Sequence, residues 1–378
     1  MNVFSQKSAA MPRLPVLGWQ TFSGGHKPPL PAITDEACAI STTSGRAAIL
    51  LALQAVGVGP GTRVLAPTYH CPTMIAPVEK LGAEIVFYPI NAAGGPNMAW
   101  LDAIDTRGVR ALLAAHFFGI PQPMQRLRWY CDQRGIALIE DCAHAFFGRS
   151  DGRPVGAWGD FAIASLTKFF PVNEGGLLLS TRGRLTAKDA RGRGWLDEAR
   201  SLADALEMGA RHGSLPGINR LLQAVFGSKN LLRRRSATAP EQSLCAPSLD
   251  ARAMTRAAHW IFRHTHRHRI VTRRRQHYNQ LVALLSGAAG MHALMPPLPP
   301  DCAPYVMPLF VASPDALYQA LRRARMPVFR WCQRWPDTPE IEGDHGGVWS
   351  RHVLQLGCHQ DLSDAQITEL ADTLLRQA

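Results

Sequence analysis

The 378-residue chain has no apolar run approaching the ~20 residues that a membrane-spanning helix requires. It has no Cys-x-x-Cys pair either: its eight cysteines, at 38, 71, 131, 142, 245, 302, 332 and 358, stand apart. That spacing excludes a zinc ribbon and a thioredoxin-type redox pair, and it predicts buried free thiols. The first 35 residues lack a signal-type apolar core, because Pro12, Pro15, Pro28, Pro29 and Pro31 interrupt them. These absences lead to the expectation of a cytoplasmic protein with reduced cysteines. Lysine is scarce as well, supplying only six of the 41 basic residues.

What is present is an ordinary globular composition, 46% hydrophobic and 19% charged, with a formal net charge of +12. The excess is local: Arg182 to Arg275 holds 20 Lys or Arg against 7 Asp or Glu. Such a patch suits nucleic acid, an acidic membrane surface or a phosphorylated substrate, and equally a solvated helical surface. No groove-reading motif accompanies it, so a nucleic-acid partner is not expected.

The length suggests two domains. Residues 1–35 read as an irregular arm. From Ser41 to Ser180, short apolar runs (Arg63–Ala66, Glu84–Ile90, Ala111–His116, Ile136–Ile139, Asp160–Leu166, Gly176–Ser180) alternate with helical segments at Ala47–Val56, Cys71–Leu81 and Gln125–Arg134. That alternation predicts an α/β fold, a mostly parallel sheet covered on both faces, with ligands at the carboxyl ends of its strands. A large domain is expected over 36–249, carrying a basic helical insertion at about 182–249 with helices at Trp195–Ala210 and Leu221–Leu232. A smaller α+β domain follows over 250–378: a long helix at Asp250–Leu285 after a cap at Ser248, a strand at Tyr305–Val311, and helices at Pro314–Arg325 and Ser363–Leu375. The last helix opens on a Ser363–Gln366 capping box.

Three features fall at strand ends. Thr43-Ser44-Gly45-Arg46-Ala47 opens the first helix, where backbone N–H groups can cradle a phosphate or simply form an N-cap. Leu138-Ile139-Glu140-Asp141 delivers Asp141 to a strand end, with His144 three residues on. A carboxylate there can pair with a protonated ring nitrogen, as it does with the pyridine of a pyridoxal cofactor. Ser165-Leu166-Thr167-Lys168 ends a third strand before a Gly175-Gly176 turn. A lysine beside an apolar sheet loses hydration, which makes its neutral amine available for Schiff-base chemistry that arginine cannot perform. His264, His266 and His268 put two imidazoles at i and i+4 of the expected long helix. The five arginines between Arg263 and Arg274 argue against a cation there, and no metal site is expected. Tryptophans such as Trp331 and Trp335 read as core or interface.

The ordered set resembles the DegT/DnrJ/StrS-type sugar aminotransferase family of pyridoxal-phosphate (PLP) enzymes. Further support comes from Pro67-Thr68-Tyr69, His116-Phe117-Phe118-Gly119, Gly156–Asp160 and Leu356-Gly357-Cys358-His359-Gln360-Asp361-Leu362-Ser363. The resemblance implies PLP-dependent transferase fold type I, with a seven-stranded-type sheet between helices. It implies Lys168 as the Schiff-base lysine, Asp141 on the pyridine nitrogen and His144 near the cofactor hydroxyl. Gly45, Arg46, Ala47 and Ser165 would lie at the phosphate, although Ser165 stands three residues before the lysine where the family usually has five. Cys71, beside His70, occupies the neighbourhood where the family stacks an aromatic on the ring, so the stacking residue stays open. The resemblance also implies a homodimer with shared sites, L-glutamate as donor and a nucleotide-linked keto-sugar as acceptor. The lysine separates the chain from dehydratase relatives, which carry His. An Asn-Tyr-Arg-Met-type segment that reaches the neighbouring subunit is missing near Ala246-Pro247-Ser248-Leu249-Asp250. A non-sugar carbonyl or amino-acid substrate, or a PLP-binding regulatory protein without catalysis, therefore stay open.

Overall fold

A computed structural model of the protein describes residues 11–23, 29–35, 38–181, 193–224, 252–295 and 297–377. Nine strands fall in the first half: β1 (Cys38–Thr42), β2 (Arg63–Pro67), β3 (Glu84–Tyr88), β4 (Val109–Ala115), β5 (Ala137–Asp141), a small hairpin of β6 (Arg149–Ser150) and β7 (Arg153–Pro154), β8 (Phe161–Ser165) and β9 (Gly176–Ser180). Between them run α1 (Gly45–Ala55), α2 (Pro72–Lys80), α3 (Met98–Ala103) and α4 (Gln125–Arg134), and α5 (Trp195–Arg211) follows. Seven strands form one sheet in the order β1-β9-β8-β5-β4-β2-β3. The ladders from β3 to β8 are parallel, and β9 alone runs against its neighbours on both sides.

The apolar runs explain these strands. Leu112, Leu113, Leu138, Ile139, Ala162, Ile163 and Leu179 are all but inaccessible, as central strands covered on both faces require. Helix α1 buries Ala47, Ala48, Ile49, Leu50, Ala52 and Leu53, so it is held on nearly all sides. Helix α4 stops where Gly135 takes the left-handed conformation (φ 62°), turning the chain directly into β5.

Beyond α5 come α6 (Arg256–His264), α7 (Arg267–Leu284), β10 (Met291–Ala293), β11 (Val306–Val311), α8 (Pro314–Arg323), β12 (Val328–Phe329), α9 (His345–His352), β13 (Val353–Gly357) and α10 (Asp364–Gln377). A second, antiparallel sheet has the order β10-β11-β13-β12. Its core, around Leu281, Leu309, Leu321, Leu356 and Leu370, is separate from that of the large sheet. Ser363 caps α10 through reciprocal bonds with Gln366, the capping box read from the sequence.

Two expectations are corrected. The long helix expected over Asp250–Leu285 is two helices, broken at Thr265 and His266. Thr265 Oγ1 donates to the Ile261 carbonyl (2.6 Å), and the His266 N–H leaves the helical ladder for the carbonyl of Thr21 in the N-terminal arm (2.7 Å). The first of the two starts at Thr255, whose hydroxyl accepts the Ala258 N–H. The expected cap Ser248, most of the basic stretch 182–249 and the end of the helix expected at Leu221–Leu232 lie outside the described residues. The second correction is β1, an edge strand rich in small polar residues that has no strong apolar run to announce it. No described helix is long and apolar enough to cross a membrane.

Candidate active site

The carboxyl ends of β4, β5 and β8 open into a cleft of about 520 Å³. That volume lies within the range of small-molecule sites, roughly 300–1,000 Å³. The start of α1 forms one wall. Ser44 caps it, its Oγ accepting the Ala47 N–H (3.3 Å). Glycine fits closely at position 45, where a Cβ would stand 3.3 Å from the Ser165 Cβ. The Gly175-Gly176 turn fastens this wall to the next. Gly175 donates to the Thr43 carbonyl and its own carbonyl accepts the Leu166 N–H. A Cβ at Gly176 would collide with the Ser44 backbone, so α1 can approach β9 only over glycine.

Lys168 ends the short turn Leu166–Lys168 that follows β8, and its Nζ stands over the Tyr305 ring, 5.4 Å from the centroid. Burial lowers its pKa, while the Asp141 and Cys71 charges pull it back up. Asp141 is buried at the end of β5. Its Oδ1 accepts the Ala143 N–H (2.9 Å) and its carboxyl lines the cleft. Burial raises its pKa, opposed by Lys168, the Ala143 N–H and His116. His144 packs between the rings of Tyr305 (4.4 Å) and Trp331 (4.9 Å). Its Nδ1 takes the Phe118 N–H (3.4 Å), which assigns the ring proton to Nε2. Burial, then the Lys168 charge, lower its pKa well below the ordinary value, so it is a neutral donor.

Behind this wall, His116 Nδ1 accepts the Gln122 N–H (2.8 Å) and Nε2 faces Glu140 (3.1 Å). His116, Glu140 and Cys142 bring three ligand-type atoms within 4.8 Å of one another. Glu140 is already satisfied by the N–H groups of Gly156, Trp158 and Gly159, and burial pushes the Cys142 thiol well up. The cluster therefore reads as a bracing network under Asp141 rather than a metal centre.

The sequence singled out Gly45, Arg46, Cys71, Asp141, His144, Ser165 and Lys168, and all seven line this one cleft. Ala47 does not: it is inaccessible and its N–H is used by the Ser44 cap. The expected histidine pair is not on one face, because the Thr265–His266 break separates His264 from His268, and His264 Nδ1 donates to its own helix at the Trp260 carbonyl (2.8 Å). The expectation of buried thiols holds for Cys131, Cys142, Cys302 and Cys358, whereas Cys71 is part-exposed at the cleft and Cys332 is exposed.

Sequence reasoning missed Trp331, read as core or interface, which lines the cleft from the loop after β12. It also missed Arg193 and Arg252 at the cleft and the role of Glu174, whose carboxylate accepts the Thr255 N–H (2.9 Å) and pairs with Arg193 (3.3 Å). The signal for the arginines was the basic stretch, which gave no way to choose among its members.

The residues present fit pyridoxal phosphate. A buried carboxyl at a strand end, a partly desolvated amine beside it and a glycine helix start all line the same cleft, a donor set that suits the pyridine nitrogen, the aldehyde and the phosphate of that cofactor. The fold is the one the resemblance implied, a large mostly parallel α/β sheet with a smaller antiparallel-sheet unit. Residues 30–195 match the model of the DegT/DnrJ/EryC1/StrS aminotransferase family, which bears out the resemblance read from the sequence. Among curated relatives, the UDP-N-acetyl-3-dehydro-alpha-D-glucosamine 3-aminotransferase of Acidithiobacillus ferrooxidans is 31% identical over 159 residues, 39% of this chain and 42% of that protein. The L-glutamine:2-deoxy-scyllo-inosose aminotransferase of Streptoalloteichus tenebrarius is 29% identical over 218 residues, 52% of this chain and 50% of that one. The chain thus matches half or less of the length of these relatives. The solved aminotransferase TlmJ from Streptoalloteichus hindustanus superposes with a TM-score of 0.63 at 18% identity, over 90% of this chain and 85% of that one, which shows the shared fold.

Proposed function

We propose that this protein is a PLP-dependent aminotransferase that moves an amino group from an amino acid to a keto-sugar. The observation that carries the reading is the convergence of Lys168, Asp141, His144 and the α1 start on one cleft. Lys168 would hold the cofactor through its amine, Asp141 would face the pyridine nitrogen, and Gly45, Arg46 and Ser165 would surround the phosphate. The bound cofactor supplies an electron sink for the carbanion formed at the donor's α-carbon.

The chain's own residues do the rest. Burial lowers the Lys168 pKa and so favours its neutral amine, whose Nζ would take and return the proton at the donor α-carbon. Asp141, as a carboxylate, favours a protonated partner in the cleft. His144 offers only its Nε2–H, because Nδ1 is occupied. Trp331 and the Phe117 ring, both at the cleft wall and 6.4 Å apart, exclude water and offer the aromatic face that Cys71 cannot.

The donor is proposed to be L-glutamate. The acceptor is proposed to be nucleotide-linked, because Arg193 and Arg252 line the same cleft and suit a diphosphate. The same reading proposes a cytoplasmic homodimer with shared sites that makes amino sugars for polysaccharide or a secondary metabolite. The test is an absorbance spectrum with pyridoxal phosphate, before and after L-glutamate, with L-glutamine in parallel because a relative's name carries that donor. A visible band that depends on Lys168 and bleaches with glutamate supports the reading. A band that neither donor changes contradicts transamination.

A further inference from the structure

Arg274, on α7, is completely inaccessible, yet among the described residues its guanidinium has no carboxylate as a hydrogen-bond partner: the four acceptors there are neutral oxygens. Nε donates to Gln360 Oε1 (2.9 Å), Nη1 to the carbonyls of Pro304 and Tyr305 (3.1 Å each), and Nη2 to the carbonyl of Lys168 (2.7 Å). The group also stacks on the Phe169 ring, 4.4 Å from its centroid. Gln360 turns its own amide to the Phe169 carbonyl (2.9 Å). A buried cation held directly only by neutral oxygens, with the Asp361 carboxylate acting on it from beyond hydrogen-bond reach, is costly, and its retention calls for a function that an apolar side chain could not serve.

The partners supply that function. They belong to three distant segments: the turn that carries Lys168, the Pro304-Tyr305 entry to β11, and the Gln360 stretch after β13. Tyr305 is the residue whose ring faces Lys168 Nζ and packs on His144. One planar fork therefore fixes the backbone under the amine and the backbone under the ring opposite it. We infer that Arg274 is a positioning residue that sets the place of the Lys168 amine against Tyr305 and makes the second sheet part of the reactive site. The inference rests on the proposed role of Lys168 and deepens it.

The groups facing Lys168 are Asp141, Cys71, His144 and the Tyr305 ring, and Arg274 reaches it only through the backbone. Without the fork the turn relaxes and the amine gains solvent, which moves its titration upward toward that of an ordinary lysine. The test is competitive labelling of the cofactor-free full chain with acetic anhydride across pH, with the Lys168 peptide followed by mass spectrometry. Arg274→Met is expected to raise the labelling midpoint of Lys168 by about half a pH unit or more. Arg274→Lys, which keeps the charge but not the fork, is expected to shift it as well. Arg275→Met is the control: Arg275 donates to the Pro299 and Cys302 carbonyls, away from the site, so stability falls while the midpoint stays. Should Arg274→Met not fold, Gln360→Met loosens the same junction and is expected to shift the midpoint in the same direction. An unchanged midpoint in a folded Arg274 or Gln360 variant overturns the inference. The labelling needs no cofactor, so failure of the PLP reading in the absorbance test leaves this result separately readable.

Discussion

Lys168 was legible because lysine is rare in this chain and this one ends an apolar strand. Asp141 was legible from the run Leu138-Ile139-Glu140 before it. Trp331 was not, since it lies far along the sequence and nothing in its local pattern marks a cleft residue. Its closeness to His144 exists only after the second sheet folds against the first. Cys71 marked the right wall but supplies no ring. Truncation of Trp331 to alanine is therefore expected to weaken pyridoxal-phosphate binding by about tenfold, measured by equilibrium dialysis, while Cys71→Ala has little effect. Asp141 gives a second residue-level outcome. Its pKa is raised in the folded cofactor-free protein, so its stability contribution is full below the ordinary value of 3.8 and is lost as pH rises through the higher folded value. The variant Asp141→Asn should then melt higher than the wild type at neutral pH without cofactor, and lose most transaminase turnover. A lower melting temperature in that variant would contradict the burial argument.

At the scale of elements, the parallel strands could be read from short apolar runs because burial on both faces leaves little room for polar residues. β1 could not, as a peripheral strand of Cys, Ala, Ile, Ser and Thr carries no such mark. The break between α6 and α7 was hidden for a different reason. It depends on the Thr21 carbonyl of the arm, a partner some 240 residues away in sequence that no local pattern shows. The Gly175-Gly176 turn shows the opposite case, in which a local motif has a long-range cause. A methyl at Gly176 would stand 2.3 Å from the Ser44 carbonyl group and 2.6 Å from the Thr42 Oγ1. Gly176→Ala is expected to cost about 3 kcal/mol of stability in thermal melts and to weaken cofactor binding, because α1 is pushed off β9. A near-neutral Gly176→Ala would mean that the helix start has room to move.

At the scale of the molecule, the parallel sheet supplies the amine, the carboxyl and the helix start, and the antiparallel sheet supplies Tyr305 and, through the loop after β12, Trp331. The arm ties the two ends of the chain together: Val16 donates to Asp361 (3.1 Å), and His359 donates to the Pro12 carbonyl (2.9 Å). The sequence offered both sheets through their strand runs and the resemblance, but not this joining, which is made by scattered polar contacts. Light scattering on the purified protein should give twice the 41.4 kDa chain mass, as a homodimer with shared sites requires. A monomer with full activity would contradict the shared-site proposal.

The proposed role of Lys168 as the residue that carries the cofactor is tested by borohydride reduction in the presence of pyridoxal phosphate followed by peptide mapping. One stable phosphopyridoxyl label is expected, on Lys168, and none in Lys168→Ala. A label on another of the six lysines, or none, would contradict it.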